Sequence, residues 1–133
     1  MSTAWSTGPE YAQKTRTLLE QHGLSSFATL ILAPLVVRDG FTPWYDETAL
    51  PPTMGPANLL VVDGPPASVA AETRYPALPR LMDRLAASAT VFLDDAGRPD
   101  ELRIVQRWTQ NWPTFKAEYL PLEKGLAILS RQQ

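Results

Sequence analysis

Three aspartates follow two short apolar runs, and these carboxylates are the side chains of this sequence best suited to chemistry. Asp63 follows the run at residues 59–62, whereas Asp94 and Asp95 follow the run at residues 90–93. Both runs are unbroken and apolar, which is typical of strands buried on both faces of a parallel sheet. Because ligands collect at the carboxyl ends of parallel strands, we expect the three carboxylates to converge on one edge of the sheet.

Carboxylate oxygens, completed by water, are the ligands that a hard octahedral cation such as Mg²⁺ prefers. The grouping of Asp63, Asp94 and Asp95 therefore predicts a magnesium site. The alternative is structural, because aspartates commonly cap the turns and helices that follow a strand, and Asp63-Gly64 is a common turn pair. The residues alone leave both interpretations open.

The elements that must position these aspartates alternate between strands and helices. The pattern predicts strands at residues 3–6, 27–32, 59–62 and 90–93, helices at 9–22, 76–85 and 99–110, and a closing hairpin of strands 114–120 and 126–130. Pro9 suits the first turn of its helix, and Gly23 stands where a left-handed C-cap belongs. This alternation indicates an α/β fold with a mostly parallel sheet and a C-terminal antiparallel hairpin.

Two of the helices have an apolar face that we expect to pack against the sheet. In the first helix, Tyr11, Leu18 and Leu19 recur at helical spacing. In the second helix the predicted core face consists of Ala77, Leu78, Leu81, Met82 and Leu85.

Length and composition limit the function. A chain of 133 residues predicts a single domain, 1–133. The formal charge of −2, with scattered lysines and arginines, favours a small-molecule ligand and predicts neither a nucleic-acid nor a membrane partner. Zero cysteines exclude disulfides, thiolate metal sites and cysteine nucleophiles. No apolar stretch is long enough to span a bilayer, so we expect a cytoplasmic protein.

The middle of the chain is rich in proline. Eight of the thirteen prolines fall between Pro43 and Pro79, and residues 35–57 show no sustained period. Loops of this length inside a compact domain are usually functional or disordered. Trp44, Tyr45 and Asp46 lie in the middle of this loop, where they either form a lid over an aromatic or hydrophobic substrate or fold back over the sheet.

Four short motifs follow one another between residues 63 and 127. They are Asp63-Gly64-Pro65-Pro66, Arg74-Tyr75-Pro76-Ala77-Leu78, Val91-Phe92-Leu93-Asp94-Asp95-Ala96 followed by Arg98 and Glu101, and Lys124-Gly125-Leu126-Ala127. In this order they resemble the C-terminal half of class I S-adenosylmethionine-dependent methyltransferases, and the opening helix and the loops at residues 33–35 and 44–46 also look related. A parallel sheet finished by one antiparallel strand inserted through a hairpin is that family's signature.

The resemblance implies a Rossmann-like methyltransferase fold with S-adenosylmethionine as cofactor and methyl transfer to an oxygen or another nucleophile as activity. The residues that it places beside the cofactor are Ser6, Ala33, Leu35 and Asp63. In related metal-dependent members, acidic or amide residues at the positions of Asp63, Asp94 and Asp95 hold Mg²⁺, which orients a substrate hydroxyl and lowers its pKa. The resemblance puts Trp44, Tyr45 and Asp46 near a small-molecule substrate.

The sequence departs from the family's pattern at the cofactor. The family's first strand and its Gly-x-Gly-x-Gly turn are absent, because no two of the seven glycines are separated by a single residue. Ser6 stands where the family has the acidic residue that binds the ribose hydroxyls. We therefore expect a methyltransferase-like chain that is not competent in isolation. The alternative is a non-catalytic remnant or interaction module that retains the fold without binding cofactor.

The absent first strand leaves one edge of the strand at 59–62 open in the expected sheet. An uncovered edge costs unpaired backbone groups and invites aggregation. The strand at 3–6, the strand at 27–32, a second copy of the chain or a separate polypeptide would cover it. Among these we expect self-association, giving a homodimer.

Overall fold

The structure, a computed structural model, describes residues 2–38 and 40–131. The chain divides into two compact units. The first consists of Met1–Val37 and Tyr45–Met54, and the second of Arg38–Trp44 and Gly55–Gln133. Among the described residues, no helix is long and apolar enough to cross a bilayer.

The first unit contains a small parallel β-α-β arrangement. Its elements are strand β1 (Ser2–Ser6), helix α1 (Pro9–Gln21), strand β2 (Ala28–Leu32), strand β3 (Leu35–Val36) and a 3-10 turn at Glu47–Ala49. Strands β1 and β2 pair in parallel, and α1 is the connection between them. Strand β4 (Trp44–Tyr45) lies where the chain passes from the second unit to the first.

The C-terminus of α1 confirms the predicted glycine cap. Gly23 has a φ of +66°, its N–H donates to the Glu20 carbonyl at 3.1 Å, and the Leu24 N–H donates to the Leu19 carbonyl at 2.8 Å. This pair of bonds is a Schellman motif, which needs a left-handed residue that only glycine adopts without strain.

The predicted core face of α1 is wrong. Tyr11 is 71% exposed and Leu18 is 54% exposed, whereas Leu19 is half-buried and the buried residue of the helix is Ala12. A helix is about 10 Å wide, and two strands about 4.8 Å apart cover only a narrow strip of it. The helix therefore meets its two-stranded sheet through one small residue, while the larger apolar side chains remain outside the contact.

The second unit contains a four-stranded mixed sheet. Its elements are strand β5 (Ala57–Val62), helix α2 (Ala77–Leu81), a 3-10 turn at Met82–Arg84, strand β6 (Leu85–Asp94), helix α3 (Pro99–Asn111), strand β7 (Phe115–Leu120) and strand β8 (Leu126–Arg131). The strand order is β5-β6-β8-β7. β5 runs parallel to β6, whereas β8 is antiparallel to both β6 and β7. The parallel pair and the closing hairpin are confirmed, but the predicted helix 76–85 ends earlier, because Leu85 already begins β6.

One face of this sheet carries the core of the second unit. Sheet residues with no more than 3% exposure include Val62, Val91, Leu93, Ala127 and Leu129, and helix residues of the same class include Ala77, Leu78, Ile104, Val105 and Trp108. Four of the five predicted core positions of the second helix are buried, and the fifth, Met82, is half-buried. Trp108 also donates its Nε1–H to the Tyr75 carbonyl at 2.9 Å, which fixes α3 to the segment before α2.

The opposite face of the sheet is more exposed. Leu59 is 52% and Val61 is 59% exposed, and Phe92, the register partner of Val61, is half-buried. In the part of the chain that the structure describes, β5 is an end strand of its sheet, with a neighbour on one side. Among these residues no strand pairs with its second edge, as expected when the family's first strand is absent.

Candidate functional site

The three aspartates meet at the carboxyl ends of β5 and β6. Val62 and Leu93 are paired in the parallel register, so Asp63 and Asp94 are the next residues on neighbouring strands. One carboxylate oxygen from each of Asp63, Asp94 and Asp95 lies within 4.8 Å of the other two. The predicted convergence is therefore present, and the two runs are adjacent and parallel as their sequence pattern indicates.

Asp63 and Asp94 form a close pair of carboxyl groups. Although the Asp63 side chain is 66% exposed, partial burial raises the pKa of Asp63 above its ordinary value of 3.8. A side-chain hydrogen bond with Asp94 and the charge of Asp94 raise this pKa further, whereas the charge of Arg74 lowers it. Two ionised carboxylates this close repel each other, and either a shared proton or a cation relieves the repulsion.

Asp95 lies in a different environment from its two neighbours. It is 5% exposed and has a φ of +58°, an uncommon backbone conformation for a residue with a Cβ. Its Oδ2 accepts hydrogen bonds from Arg74 Nη1 at 3.2 Å and from Arg98 Nη2, and its N–H donates to Asp94 Oδ1 at 2.8 Å. These bonds hold Asp95 in its strained conformation and orient the Asp94 carboxylate.

Arg74 is the buried centre of the site, with 3% exposure. Its Nε donates to the Pro65 carbonyl at 3.1 Å, and its Nη1 donates to the Asp94 carbonyl at 3.3 Å in addition to the Asp95 carboxylate. Its Nη2 lies 3.9 Å from Asp63 Oδ1. The planar guanidinium thus connects the loop after β5 with the end of β6. A lysine ammonium lacks the planar fork of donors that makes these bonds together.

Glu101 completes the buried charge network. It is 2% exposed, and its Oε1 lies 4.0 Å from Arg74 Nη1. Its Oε2 is buried and has no hydrogen-bond partner among the described residues. A buried carboxylate of this kind depends on the neighbouring guanidinium for its stability.

In the sequence, Arg74 was used only as a carrier of the family resemblance, and its role in the site was missed. A signal for Arg74 was present, because Glu72 and Arg74 are the two charged residues between Gly64 and Pro79. A lone cation beside the start of an apolar helix needs a buried anion as partner. Which anion becomes the partner of Arg74 depends on the fold, and the sequence pattern does not indicate it.

A close backbone contact fixes the loop after β6. Ala96 N–H donates to the Gly125 carbonyl and Gly97 N–H donates to the Lys124 carbonyl, both at 3.1 Å. Gly125 has a φ of +79°, and a Cβ built on it would lie 2.5 Å from the Gly97 nitrogen. The turn that precedes β8 therefore packs directly on the segment that carries Asp95.

The predicted cofactor residues other than Asp63 belong to the first unit. Ser6 accepts the Ala33 N–H at its carbonyl at 2.9 Å and donates its hydroxyl to the Gly8 carbonyl at 3.3 Å. Ala33 is buried, and Leu35 is half-buried. The structure thus brings Ser6 and Ala33 together, and their role toward a cofactor stays a prediction.

The three predicted substrate residues all have structural contacts. Trp44 is 4% exposed, and the Tyr45 ring lies 5.3 Å from the Trp5 ring between centroids. Asp46 Oδ1 accepts the Thr48 N–H at 3.1 Å and the Thr48 hydroxyl at 2.6 Å, which caps the 3-10 turn. Packing and capping account for these contacts, and a role in substrate binding stays a prediction.

Solved structures share this architecture. A methyltransferase from Geobacter sulfurreducens matches 98% of the chain with a TM-score of 0.68 at 18% identity. An O-methyltransferase from Bacillus cereus in complex with SAH matches 98% with a TM-score of 0.70 at 11% identity. A putative methyltransferase from Streptococcus mutans, also with SAH, matches 97% with a TM-score of 0.65 at 16% identity.

The chain has a methyltransferase-like fold. It covers 58% of the Geobacter protein, 62% of the Bacillus protein and 74% of the Streptococcus protein. No protein-family model matches the chain, and no curated protein matches it. The likeness to these solved structures therefore concerns the fold alone.

The strand ends of this methyltransferase-like fold suit a hard divalent cation. The ionisable groups that meet there are four carboxylates and two guanidinium groups, those of Asp63, Asp94, Asp95, Glu101, Arg74 and Arg98. When all are ionised, four negative and two positive charges leave a formal charge of −2, which equals the charge that one divalent cation neutralises. The oxygen-only donor set matches the preference of Mg²⁺.

Proposed function

We propose that this chain forms the acceptor side of an S-adenosylmethionine-dependent methyltransferase, with a divalent cation and a methyl acceptor at the carboxyl ends of β5 and β6. The observation that carries the proposal is the convergence of Asp63, Asp94 and Asp95 within 4.8 Å at the end of a parallel strand pair. The SAH complexes of the Bacillus and Streptococcus proteins, which share the fold, support S-adenosylmethionine as the methyl donor.

In this proposal Asp63 and Asp94 hold Mg²⁺, because Asp63 is exposed and Asp94 is half-buried. When bound, the ion lowers the pKa of an acceptor hydroxyl and orients it. The protein contributes mainly position, since an acceptor held in line with the methyl group and its sulfur reacts far faster than a free one. The backbone N–H of Asp95 orients the Asp94 carboxylate.

We further propose that the chain does not hold the methyl donor by itself. No Gly-x-Gly-x-Gly turn occurs in the sequence, and such a turn lets backbone amides approach the cofactor where a Cβ would clash. Ser6 stands at the expected place of the ribose-binding acid. It offers one hydroxyl there instead of the two acceptor oxygens of a carboxylate. The function then requires a partner, either a second copy of the chain or a separate polypeptide.

A second candidate function is a non-catalytic interaction module. The observation that favours it is that β5 is an end strand of its sheet, with the side chains of Leu59 and Val61 more than half exposed on one face. An edge of this kind pairs readily with a strand of another chain. Under this alternative the acidic cluster has a structural role alone.

Calorimetric titration of the purified chain with MgCl₂ distinguishes the two functions. We expect saturable binding to the wild-type chain and none to the double variant Asp63→Asn with Asp94→Asn, because both proposed ligands are lost. Asp83→Asn, at an exposed aspartate outside the cluster, is the matched control and should bind as the wild type does. Absence of Mg²⁺ binding to the wild-type chain would favour the interaction module.

A further inference from the structure

The carboxylates of the strand-end cluster differ in how far their hydrogen-bonding capacity is already used. Asp95 is 5% exposed, and its Oδ2 accepts bonds from two guanidinium groups. The Asp63 side chain is 66% exposed, and Asp94 is half-buried with one oxygen bonded to the Asp95 N–H. Asp63 and Asp94 are therefore open to a ligand from solvent, whereas Asp95 is committed to arginine.

Arg74 lies close to three of the four acidic groups, those of Asp95, Asp63 and Glu101. It lies 3.2 Å from Asp95, 3.9 Å from Asp63 and 4.0 Å from Glu101, measured between the nearest charged atoms. A buried charge at these distances interacts with its neighbours far more strongly than an exposed one does. Arg74 therefore occupies the position of a permanent cation beside the predicted metal ligands.

Glu101 is a further buried carboxylate beside Arg74. Its Oε2 is buried and has no hydrogen-bond partner among the residues that the structure describes, and the residue is 2% exposed. The guanidinium of Arg74 faces Glu101 but lies at the outer limit of an ion pair. Arg74 therefore compensates the charge of this buried carboxylate as well as that of Asp95.

We propose that Arg74 is a resident countercation that positions Asp95 and restricts the cluster to one exchangeable divalent cation, bound through Asp63 and Asp94. This inference rests on the proposed metal site and goes beyond it, because it assigns a role to a residue that is not a ligand. The positive charge of Arg74 compensates one negative charge of the cluster, and this compensation weakens the binding of a further cation. It also connects the loop after β5 to β6 through the Pro65 and Asp94 carbonyls, which keeps the two ligand-bearing strand ends together.

The test compares Mg²⁺ binding and thermal unfolding of the wild-type chain with those of Arg74→Gln. Removing the buried positive charge should strengthen Mg²⁺ binding by about tenfold or more, because the ion then meets one further uncompensated carboxylate. The variant should unfold at a lower temperature in EDTA. It should recover more stability on addition of Mg²⁺ than the wild type does, because a ligand that binds the folded state stabilises it.

Two further variants make the outcome decisive. Arg103→Gln removes a 54% exposed arginine that pairs with Asp100 and Glu72, and it should leave Mg²⁺ affinity unchanged. Arg74→Lys keeps the charge but loses the planar fork, so its Mg²⁺ affinity should stay within about twofold of wild type even where its unfolding temperature falls. This variant also provides the comparison if Arg74→Gln does not fold.

The inference is overturned on its own if the wild-type chain binds Mg²⁺ through Asp63 and Asp94 while Arg74→Gln binds it no more tightly. It is likewise overturned if Arg74→Lys binds Mg²⁺ about tenfold more tightly than wild type, because the charge would then have no role. If neither the wild-type chain nor Arg74→Gln binds Mg²⁺, the proposed metal site fails together with the inference.

Discussion

At the scale of single residues, the chemistry of the site depends on how the chain divides charge among neighbouring carboxylates. Asp95 and Glu101 are buried against Arg74, and replacing a buried ion-pair partner usually costs several kcal/mol, on the order of 3–5. Asp63 is exposed and Asp94 is half-buried, and the nearby Asp94 carboxyl contributes to the raised pKa of Asp63. The same cluster therefore contains a structural half and a half that is available to a ligand.

Asp63→Asn should increase stability at neutral pH in a buffer free of divalent cations. Because the pKa of Asp63 is raised in the folded state, its stabilising contribution is present below the unfolded pKa, about 3.9, and is lost as pH rises through the folded pKa. The gain in the variant should be below about 1 kcal/mol, since solvent screens a largely exposed group.

Thermal unfolding of the wild-type chain and of Asp63→Asn between pH 4 and pH 8 measures this effect. The difference between the two proteins should grow with pH and then become constant above the folded pKa. Asp83→Asn should show no such pH-dependent difference. A difference in unfolding temperature between wild type and Asp63→Asn that is independent of pH would contradict a raised pKa of Asp63 in the folded state.

The sequence pattern was sufficient to locate the three aspartates at the strand ends, but not the buried partners that surround them. Asp63, Asp94 and Asp95 were predictable because a strand ending in aspartate has a local pattern, and parallel pairing brings such ends together. The partners of Arg74 were not predictable, since they come from two loops and a helix that meet only in the folded chain. Burial of Glu101 in the first turn of α3 is a tertiary effect of the same kind.

At the scale of elements, strand identity was easier to predict than packing. Continuous apolar runs predicted β5 and most of β8. β6 is longer than the predicted strand, because it already begins at Leu85, where its pairing with β5 is irregular. The face of α1 was predicted wrongly because helical spacing shows which residues can share a face, and the width of the sheet beneath decides which of them are buried. Gly23 was predictable because a helix end has a local glycine signature.

Gly125→Ala should destabilise the second unit by about 2–5 kcal/mol. The left-handed φ of +79° is strained for any residue with a Cβ, and the new carbon would meet the Gly97 nitrogen at 2.5 Å. The turn before β8 would then move away from the loop that carries Asp95. Urea unfolding followed by circular dichroism measures the change.

Gly55→Ala is the matched control for this prediction. Gly55 has open space around it and no positive φ, so the change should be within about 0.5 kcal/mol or slightly stabilising. Equal stabilities of Gly125→Ala and Gly55→Ala would show that the close contact does not restrain the loop.

The open edge of β5 leads to a prediction about assembly. If a second copy covers this edge, Val61→Lys should shift the chain from dimer to monomer, because an edge lysine opposes strand addition. Light scattering over a range of concentrations measures the mass. Val37→Lys, at a residue that is 77% exposed in the first unit, is the control and should not change it. A wild-type chain that is monomeric at every concentration would exclude the homodimer.

At the scale of the whole molecule, the chain has a methyltransferase-like fold and covers 58% of the Geobacter sulfurreducens methyltransferase. Its second unit carries the carboxylate cluster, the buried arginine and the closing hairpin, which together form the proposed acceptor side. The sequence contains no glycine-rich turn of the type that holds the methyl donor. We therefore propose that the acceptor and cation sites lie in this chain and that the chain does not bind the methyl donor tightly by itself.

Calorimetric titration of the purified wild-type chain with S-adenosylmethionine, in a buffer that contains Mg²⁺, tests this claim most directly. We expect no tight binding, because neither the glycine turn nor the ribose-binding acid is present. Submicromolar affinity for S-adenosylmethionine would contradict the claim that this chain lacks a complete cofactor site.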